Sequence, residues 1–152
     1  MEYSFIRRAA RDDACRIAEI EIFNYRLKFY PIFKNDQFYF DELNVSVAIE
    51  KILSDEELFR NTYVYDDGVV KGFISVDGAE VKKLFVEPVL QGQSIGAKLL
   101  DYAMKEHNAA FLWALEKNTG AIRFYERNGF RITEEKKYEE DTKEYLIKMV
   151  RK

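Results

Sequence analysis

The feature that most constrains this chain is a change of hydrophobic period near residue 88. Upstream of it, three strand-like runs follow one another: Thr62 to Tyr65, Val69 to Val76 and Glu80 to Val86. They are separated by Asp66-Asp67-Gly68 and Asp77-Gly78, and Asp-Gly between such runs is a strong hairpin signal because glycine accepts the positive φ of a tight turn. Three strands joined by two tight turns make an antiparallel meander. Beyond Pro88 and a stretch of small residues ending at Ser94 the period turns helical, with Ile95, Leu99, Tyr102 and Ala103 on one face. The apolar run Ala109 to Leu115 then suits a strand buried on both faces. The meander therefore continues into a strand-helix-strand unit.

The flanks complete a mixed α/β chain. Tyr3 to Arg8 reads as a short strand. Asp12 or Asp13 can cap a helix that carries Ile17, Ile20, Phe23, Leu27 and Tyr30 along one face and ends at Pro31. Val45, Ile49, Ile52 and Leu53 mark a second, shorter helix within residues 36 to 60. Downstream, Asn118 can cap a helix running to Arg127, and Gly129 stands where a left-handed C-terminal residue is wanted. Two strands follow, Phe130 to Tyr138 and Lys143 to Val150, and the acidic stretch Glu134 to Asp141 reads as a solvated hairpin tip. The expectation is about seven strands with four helices.

Composition narrows the function. With 152 residues, 47% of them hydrophobic, and 12 Phe, 10 Tyr and 1 Trp to bury, one core is expected. Pro31 and Pro88 are the only prolines, no Gly/Ser linker appears and nothing repeats, so no domain boundary is read. Charge is balanced, 24 basic against 27 acidic residues, with no block that could track a phosphate backbone, which argues against nucleic acid as a partner. No apolar run approaches the roughly 18 residues that span a bilayer, and Arg7, Arg8, Arg11, Asp12 and Asp13 interrupt any signal-peptide core, so a cytoplasmic protein without membrane partners is expected. Cys15 is the sole cysteine and His107 the sole histidine, and no metal-ligand spacing occurs. His107 reads as a polar residue at a helix C-terminus.

The segment Gln91, Gly92, Gln93, Ser94, Ile95, Gly96, Ala97 lies between a strand end and a helix start. Unpaired backbone N–H groups at such a junction, together with the helix dipole, suit the oxygens of a diphosphate. Small residues also serve any tight strand-helix connection. Neither the nucleotide-triphosphatase loop Gly-x-x-x-x-Gly-Lys-Ser/Thr nor the dinucleotide motif Gly-x-Gly-x-x-Gly is present.

Two motifs resemble the GNAT superfamily of N-acetyltransferases. The first is a strand ending in Val-x-Pro followed by Gln-x-x-Gly-x-Gly/Ala, here Leu84-Phe85-Val86-Glu87-Pro88 and then Gln91 to Gly96. The second is Asn-x-x-Ala-x-x-Phe-Tyr-Glu-x-x-Gly-Phe, complete as Asn118, Ala121, Phe124, Tyr125, Glu126, Gly129 and Phe130. The resemblance implies a GNAT-like α+β mixed sheet with a central splayed strand pair, and residues 1–152 as one N-acetyltransferase domain. It implies acetyl-CoA as cosubstrate, without a metal. The backbone of Leu84, Phe85 and Val86 would pair with the pantetheine arm, residues 91 to 97 would hold the pyrophosphate, and Asn118 would contact the cofactor further along while also serving as a helix cap.

Tyr125 resembles the family's proton donor to the departing thiolate, a task that asks for a phenol pKa somewhat below the usual value of about 10. The sequence departs from the family at two points. Ser94 stands where Gly is usual: at negative φ it costs nothing and its hydroxyl can add a phosphate contact, whereas at positive φ its Cβ costs about 1–2 kcal/mol. Trp113 stands where some relatives carry a Glu as general base, and Trp cannot accept a proton. Glu80 and Glu116 are the substitutes, alongside a water relay. The implied activity is acetyl transfer to a primary amine on a small molecule or protein, and the alternatives are a non-catalytic acyl-CoA-binding module or an interaction protein. Tyr25, Phe29, Tyr30, Phe33, Phe38, Tyr39 and Phe40 cluster around Pro31. They read either as an aromatic-lined acceptor pocket or as plain core or a homodimer contact.

Overall fold

A computed structural model describes residues 3–152. Its strands are β1 (Ile6–Arg8), β2 (Thr62–Asp66), β3 (Val70–Asp77), β4 (Glu80–Val86), β5 (Phe111–Leu115), β6 (Phe130–Tyr138) and β7 (Tyr145–Arg151). The α-helices are α1 (Ala14–Asn24), α2 (Tyr30–Phe33), α3 (Val45–Ser54), α4 (Glu56–Arg60), α5 (Ile95–His107) and α6 (Thr119–Arg127). All seven strands join one sheet in the order β1-β2-β3-β4-β5-β7-β6. Every neighbouring pair is antiparallel except β4 and β5, which α5 connects as a parallel crossover.

Adjacent side chains on one strand sort the helices to opposite faces. Phe73 packs with Ile17 and Ile20 of α1, while its neighbour Ile74 packs with Leu99, Leu100 and Ala103 of α5. Phe130, Ile147 and Met149 extend the α5 cluster to the far half of the sheet, where Ile122 of α6 joins it. The other flank of α1 packs on α3 through Ala18, Ile22 and Ala48. Phe23 on α1 and Leu27 just beyond it, both expected on a buried face, are 40% and 54% exposed.

The first half corrects the sequence reading in several places. Only Ile6–Arg8 of the stretch from Tyr3 pairs as a strand. Asp13 does not cap α1 by a side-chain bond; a single 3-10 turn precedes the helix and the Asp13 carboxylate reaches back to the Ala10 N–H at 2.7 Å. Pro31 does not end the helical path. Tyr25–Phe29 forms a π-helical turn and Pro31 opens α2, which stops at Lys34 with φ 54°. Proline lacks an N–H and its ring crowds the carbonyl four residues back, so a widened turn just before it relieves both constraints. A second π-helical turn spans Gln37–Glu42, and α3 and α4 then begin on Asn44 and Asp55, each accepting a backbone N–H. The four expected helices thus become six, because short turns separate what periodicity merged. His107 is the last residue of α5, as expected; its ring is half-buried against Tyr63 and Tyr102, and burial lowers its pKa.

Candidate active site

The sheet opens at its parallel pair. β4 and β5 are in register only at Glu80↔Phe111 and Val81↔Leu112, and beyond that they diverge. The β5-facing edge of Lys82–Val86 is therefore free of a strand partner, as expected for a splayed central pair. A cleft of about 760 Å³ fills the gap, lined by Leu84, Phe85 and Val86 on one side and Leu112–Leu115 on the other.

One end of the cleft is closed by the segment from Gln91 to Ala97. Gly92, Ser94, Ile95, Gly96 and Ala97 line it, Gln93 does not, and Gln91 lines it while its side chain is engaged elsewhere. Gln91 Nε2 donates to Asn24 Oδ1 at 3.1 Å and to the Val86 carbonyl at 3.2 Å. Asn24, 2% exposed, also donates to the Ile20 and Val86 carbonyls at 2.9 Å each. These two amides tie α1, the end of β4 and the loop together. Gln91 thus anchors the loop through its side chain, a role the motif alone did not reveal.

Two residues turn the loop into the helix at positive φ, Gly92 at 88° and Ser94 at 66°. The serine has therefore taken the costly branch and sits left-handed without a side-chain capping bond. The first i→i−4 bond of α5 runs from Lys98 N–H to the Ser94 carbonyl at 3.0 Å, so the Ile95, Gly96 and Ala97 amides precede the helical ladder. Gly96 has a packing reason as well: a Cβ there would stand 3.3 Å from Phe124 Cζ.

Asn118 and Tyr125 enter the cleft from α6. Asn118 Oδ1 accepts the Ala121 N–H at 3.3 Å, so the residue caps α6 and lines the cleft at once. Tyr125 packs edge-on against Phe124 and Phe130 at 5.3 and 6.1 Å. Burial pushes its phenol up to about 12, opposite to the lowering expected of a proton donor. The cause is desolvation, which disfavours the phenolate. A thiolate formed in the same apolar space is disfavoured for the same reason, which narrows the gap between the two.

The expected substitutes for a basic glutamate lie elsewhere. Glu80 sits where β4 and β5 still pair, 3.5 Å from Lys82 Nζ, and Glu116 is ion-paired to Lys136 at 2.6 Å; neither lines the cleft. Trp113 does line it, with Lys137 Nζ 4.2 Å above its ring.

The aromatic cluster divides in two. Tyr25 and Phe29 stack at 5.0 Å, meet Phe85 edge-on and line the cleft. Tyr30, Phe38, Tyr39 and Phe40 pack on one another instead. The sequence reading missed a polar group here: Glu21, 6% exposed, accepts the Tyr25 hydroxyl at 2.6 Å and pairs with Lys83 Nζ at 2.8 Å. Burial and the Glu21 charge hold the Tyr25 phenol well above its ordinary value. It also missed Glu139, which lines the cleft from the end of β6. Helical spacing from Ile17 and Ile20 to Asn24 could have signalled Glu21; nothing in the pattern singles out Glu139.

A mixed sheet opened at a parallel pair, with a helix N-terminus and an α6 tyrosine at the opening, is the α/β arrangement that the two sequence motifs implied. Residues 59–132 match the family model for an acetyltransferase (GNAT) domain. The fold agrees with a solved N-acetyltransferase from Staphylococcus aureus Mu50 at a TM-score of 0.75, with 16% identity over 97% of this chain and 100% of that one. It also agrees with the PaiA N-acetyltransferase from Thermoplasma acidophilum in complex with coenzyme A, at a TM-score of 0.67, with 19% identity over 94% and 96%. Residues 59–132 are thus similar to the GNAT acetyltransferase domain, and the chain has the fold of solved N-acetyltransferases. In sequence it is 34% identical over 70 residues to the peptidyl-lysine N-acetyltransferase YiaC of Escherichia coli K12, a match covering 45% of this chain and 48% of that protein. The chain thus aligns with about half the length of that relative.

Proposed function

We propose that the chain is an acetyl-CoA-dependent N-acetyltransferase, one domain over residues 1–152, acting on a primary amine. The observation that carries this reading is the convergence of the free β4 edge, the N-terminal amides of α5 and the Tyr125 phenol on one cleft. Acetyl-CoA, as cosubstrate, supplies an acyl carbon activated as a thioester. The amides at 95–97 and the dipole of α5 receive its diphosphate. The unpaired backbone groups of Leu84, Phe85 and Val86 complement the amides of its pantetheine arm, and Asn118 contributes a polar group beside them. Gln93 takes part only through the geometry of the loop.

In the reaction the amine nitrogen bonds to the acyl carbon and the carbon–sulfur bond breaks. Tyr125 gives its proton to the leaving sulfur, and the proton lost by nitrogen passes to water, since Glu80 and Glu116 stand outside the cleft. The CoA complex of the Thermoplasma relative and the peptidyl-lysine acceptor named for YiaC support the choice of donor and of an amine acceptor.

Trp113, in place of the glutamate some relatives use, favours a second reading as a non-catalytic acyl-CoA-binding module. An assay of acetyl-CoA-dependent thiol release across an amine panel, run beside CoA titration, separates the two. Turnover of at least one amine is expected; tight CoA binding with no thiol release on any amine would favour the module.

A further inference from the structure

Glu139 is the one carboxylate among the described residues that line the cleft, whose other charges are Lys28, Lys82, Lys83 and Arg127. Those cations do not neutralise it: it has no ion pair among the described residues, and its Oε1 accepts only the Glu140 N–H at 3.1 Å. The turn that carries it is fixed, with the Glu139 N–H donating to the Glu144 carbonyl at 2.8 Å and the Thr142 N–H and hydroxyl both donating to the Glu139 carbonyl.

Its side of the sheet is set by strand period. Lys137, two residues earlier on β6, lies over Trp113, on the face opposite the α5 cluster that holds Leu112, Ala114, Ile147 and Met149. The loop at 91–97 belongs to the α5 face, so Glu139 stands away from the anion-binding end, where its charge would repel a diphosphate. Burial first, and this carboxylate's charge in addition, hold the phenols of Tyr25 and Tyr39 above their ordinary value. An unneutralised carboxylate opposite the aromatic faces of Tyr25, Phe29 and Phe85 is a site for a cation on an apolar arm.

We infer that Glu139 captures the acceptor, and that the acceptor is a primary alkylammonium such as a lysine side chain, its methylenes lying along Tyr25, Phe29 and Phe85. The inference rests on the transferase reading for the reaction itself, but not for the binding. Glu139 holds the charged form on entry; the nitrogen reacts after losing its proton, so the carboxylate governs KM more than kcat.

The test uses capped lysine (N-acetyl-lysine methylamide) as acceptor at saturating acetyl-CoA, and its trimethylammonium counterpart, which cannot be acetylated, titrated into the CoA-loaded protein. Glu139→Gln is expected to raise KM for capped lysine at least tenfold with kcat within threefold and CoA affinity unchanged. Glu139→Asp should recover part of the loss. The trimethylammonium compound should bind the parent at least tenfold more tightly than Glu139→Gln, and that difference should shrink with added salt. Glu139-dependent binding with no acetylation of capped lysine or of any amine in the panel would sink the transferase reading and leave this one standing. Acetylation with KM unmoved within twofold in Glu139→Gln would overturn the inference and spare the transferase, as would a parent that neither binds nor acetylates these compounds.

Discussion

At the scale of single residues, Tyr125 is the side chain proposed to carry the chemistry. Its phenol, pushed up to about 12, stays protonated through the neutral and mildly alkaline range, so it remains a competent donor throughout pH 6 to 9. Tyr125→Phe keeps the ring against Phe124 and Phe130 and removes only the hydroxyl, and with it the proton to be donated. Turnover is expected to fall about 10²–10⁴-fold at saturating acetyl-CoA, evenly across that range, while CoA affinity holds. Turnover within threefold of the parent would reduce Tyr125 to packing. The same shift contributes stability that is full below pH 10, the ordinary value, and is lost as pH rises from 10 towards 12. Ser94, at φ 66°, gives an independent stability test. Ser94→Gly relieves about 1–2 kcal/mol of left-handed strain and gives back roughly 0.4–1 through a freer unfolded chain, so chemical denaturation should show a small net gain. Both residues were legible in the motifs, because a motif fixes identity and order. Glu139 was not: its acidic neighbours Glu134, Glu135 and Glu140 are exposed, and only the fold of the turn just beyond β6 brings this one to the cleft.

Elements decide how the cleft is held open. Asn24 sits at the last turn of α1 and joins that helix to the end of β4 and, through Gln91, to the loop that begins α5. Replacing it by Ala removes one donor each from the Ile20 and Val86 carbonyls and leaves the Gln91 amide held by the Val86 carbonyl alone. Destabilisation of about 1–3 kcal/mol is expected by urea denaturation, together with weaker CoA binding as the loop loosens. Full CoA affinity in a destabilised Asn24→Ala would show that the loop holds its shape without α1. The strands here were readable from residue 62 onward because Asp-Gly turns and alternating period mark their ends, and the order of the second half followed. The segment from Tyr25 to Glu42 was not. The π-helical turn at Tyr25–Phe29 shifts the helical phase, so that Leu27 of the expected buried stripe faces water while Tyr25 and Phe29 turn into the cleft, and a second such turn at Gln37–Glu42 breaks the period again. A period-based reading assumes constant phase and cannot register such a shift.

At the scale of the whole molecule, the sheet is two blocks, β1 to β4 and β5 to β6, hydrogen-bonded to each other at only two register positions and bridged by α5 and the core beneath it. A ligand that pairs with the free β4 edge and the α5 amides would tie the blocks together, so its binding should appear as global stability. A ligand at 100 times its Kd adds about 2.7 kcal/mol, which for a domain of this size raises Tm by several degrees. The decisive variant must add charge at the loop without disturbing the core. Gly96 is unsuitable, since a Cβ would press on Phe124 at 3.3 Å and mix packing loss with repulsion. Ala97 lines the cleft in the same first turn and already carries a Cβ. Ala97→Glu should leave the Tm of the free protein within about two degrees and weaken CoA at least tenfold, about 1.4 kcal/mol. At the CoA concentration that saturates the parent, its thermal shift should fall to about half or less. An undiminished shift in the folded variant would place the diphosphate away from α5 and remove the structural basis for the proposed cosubstrate site.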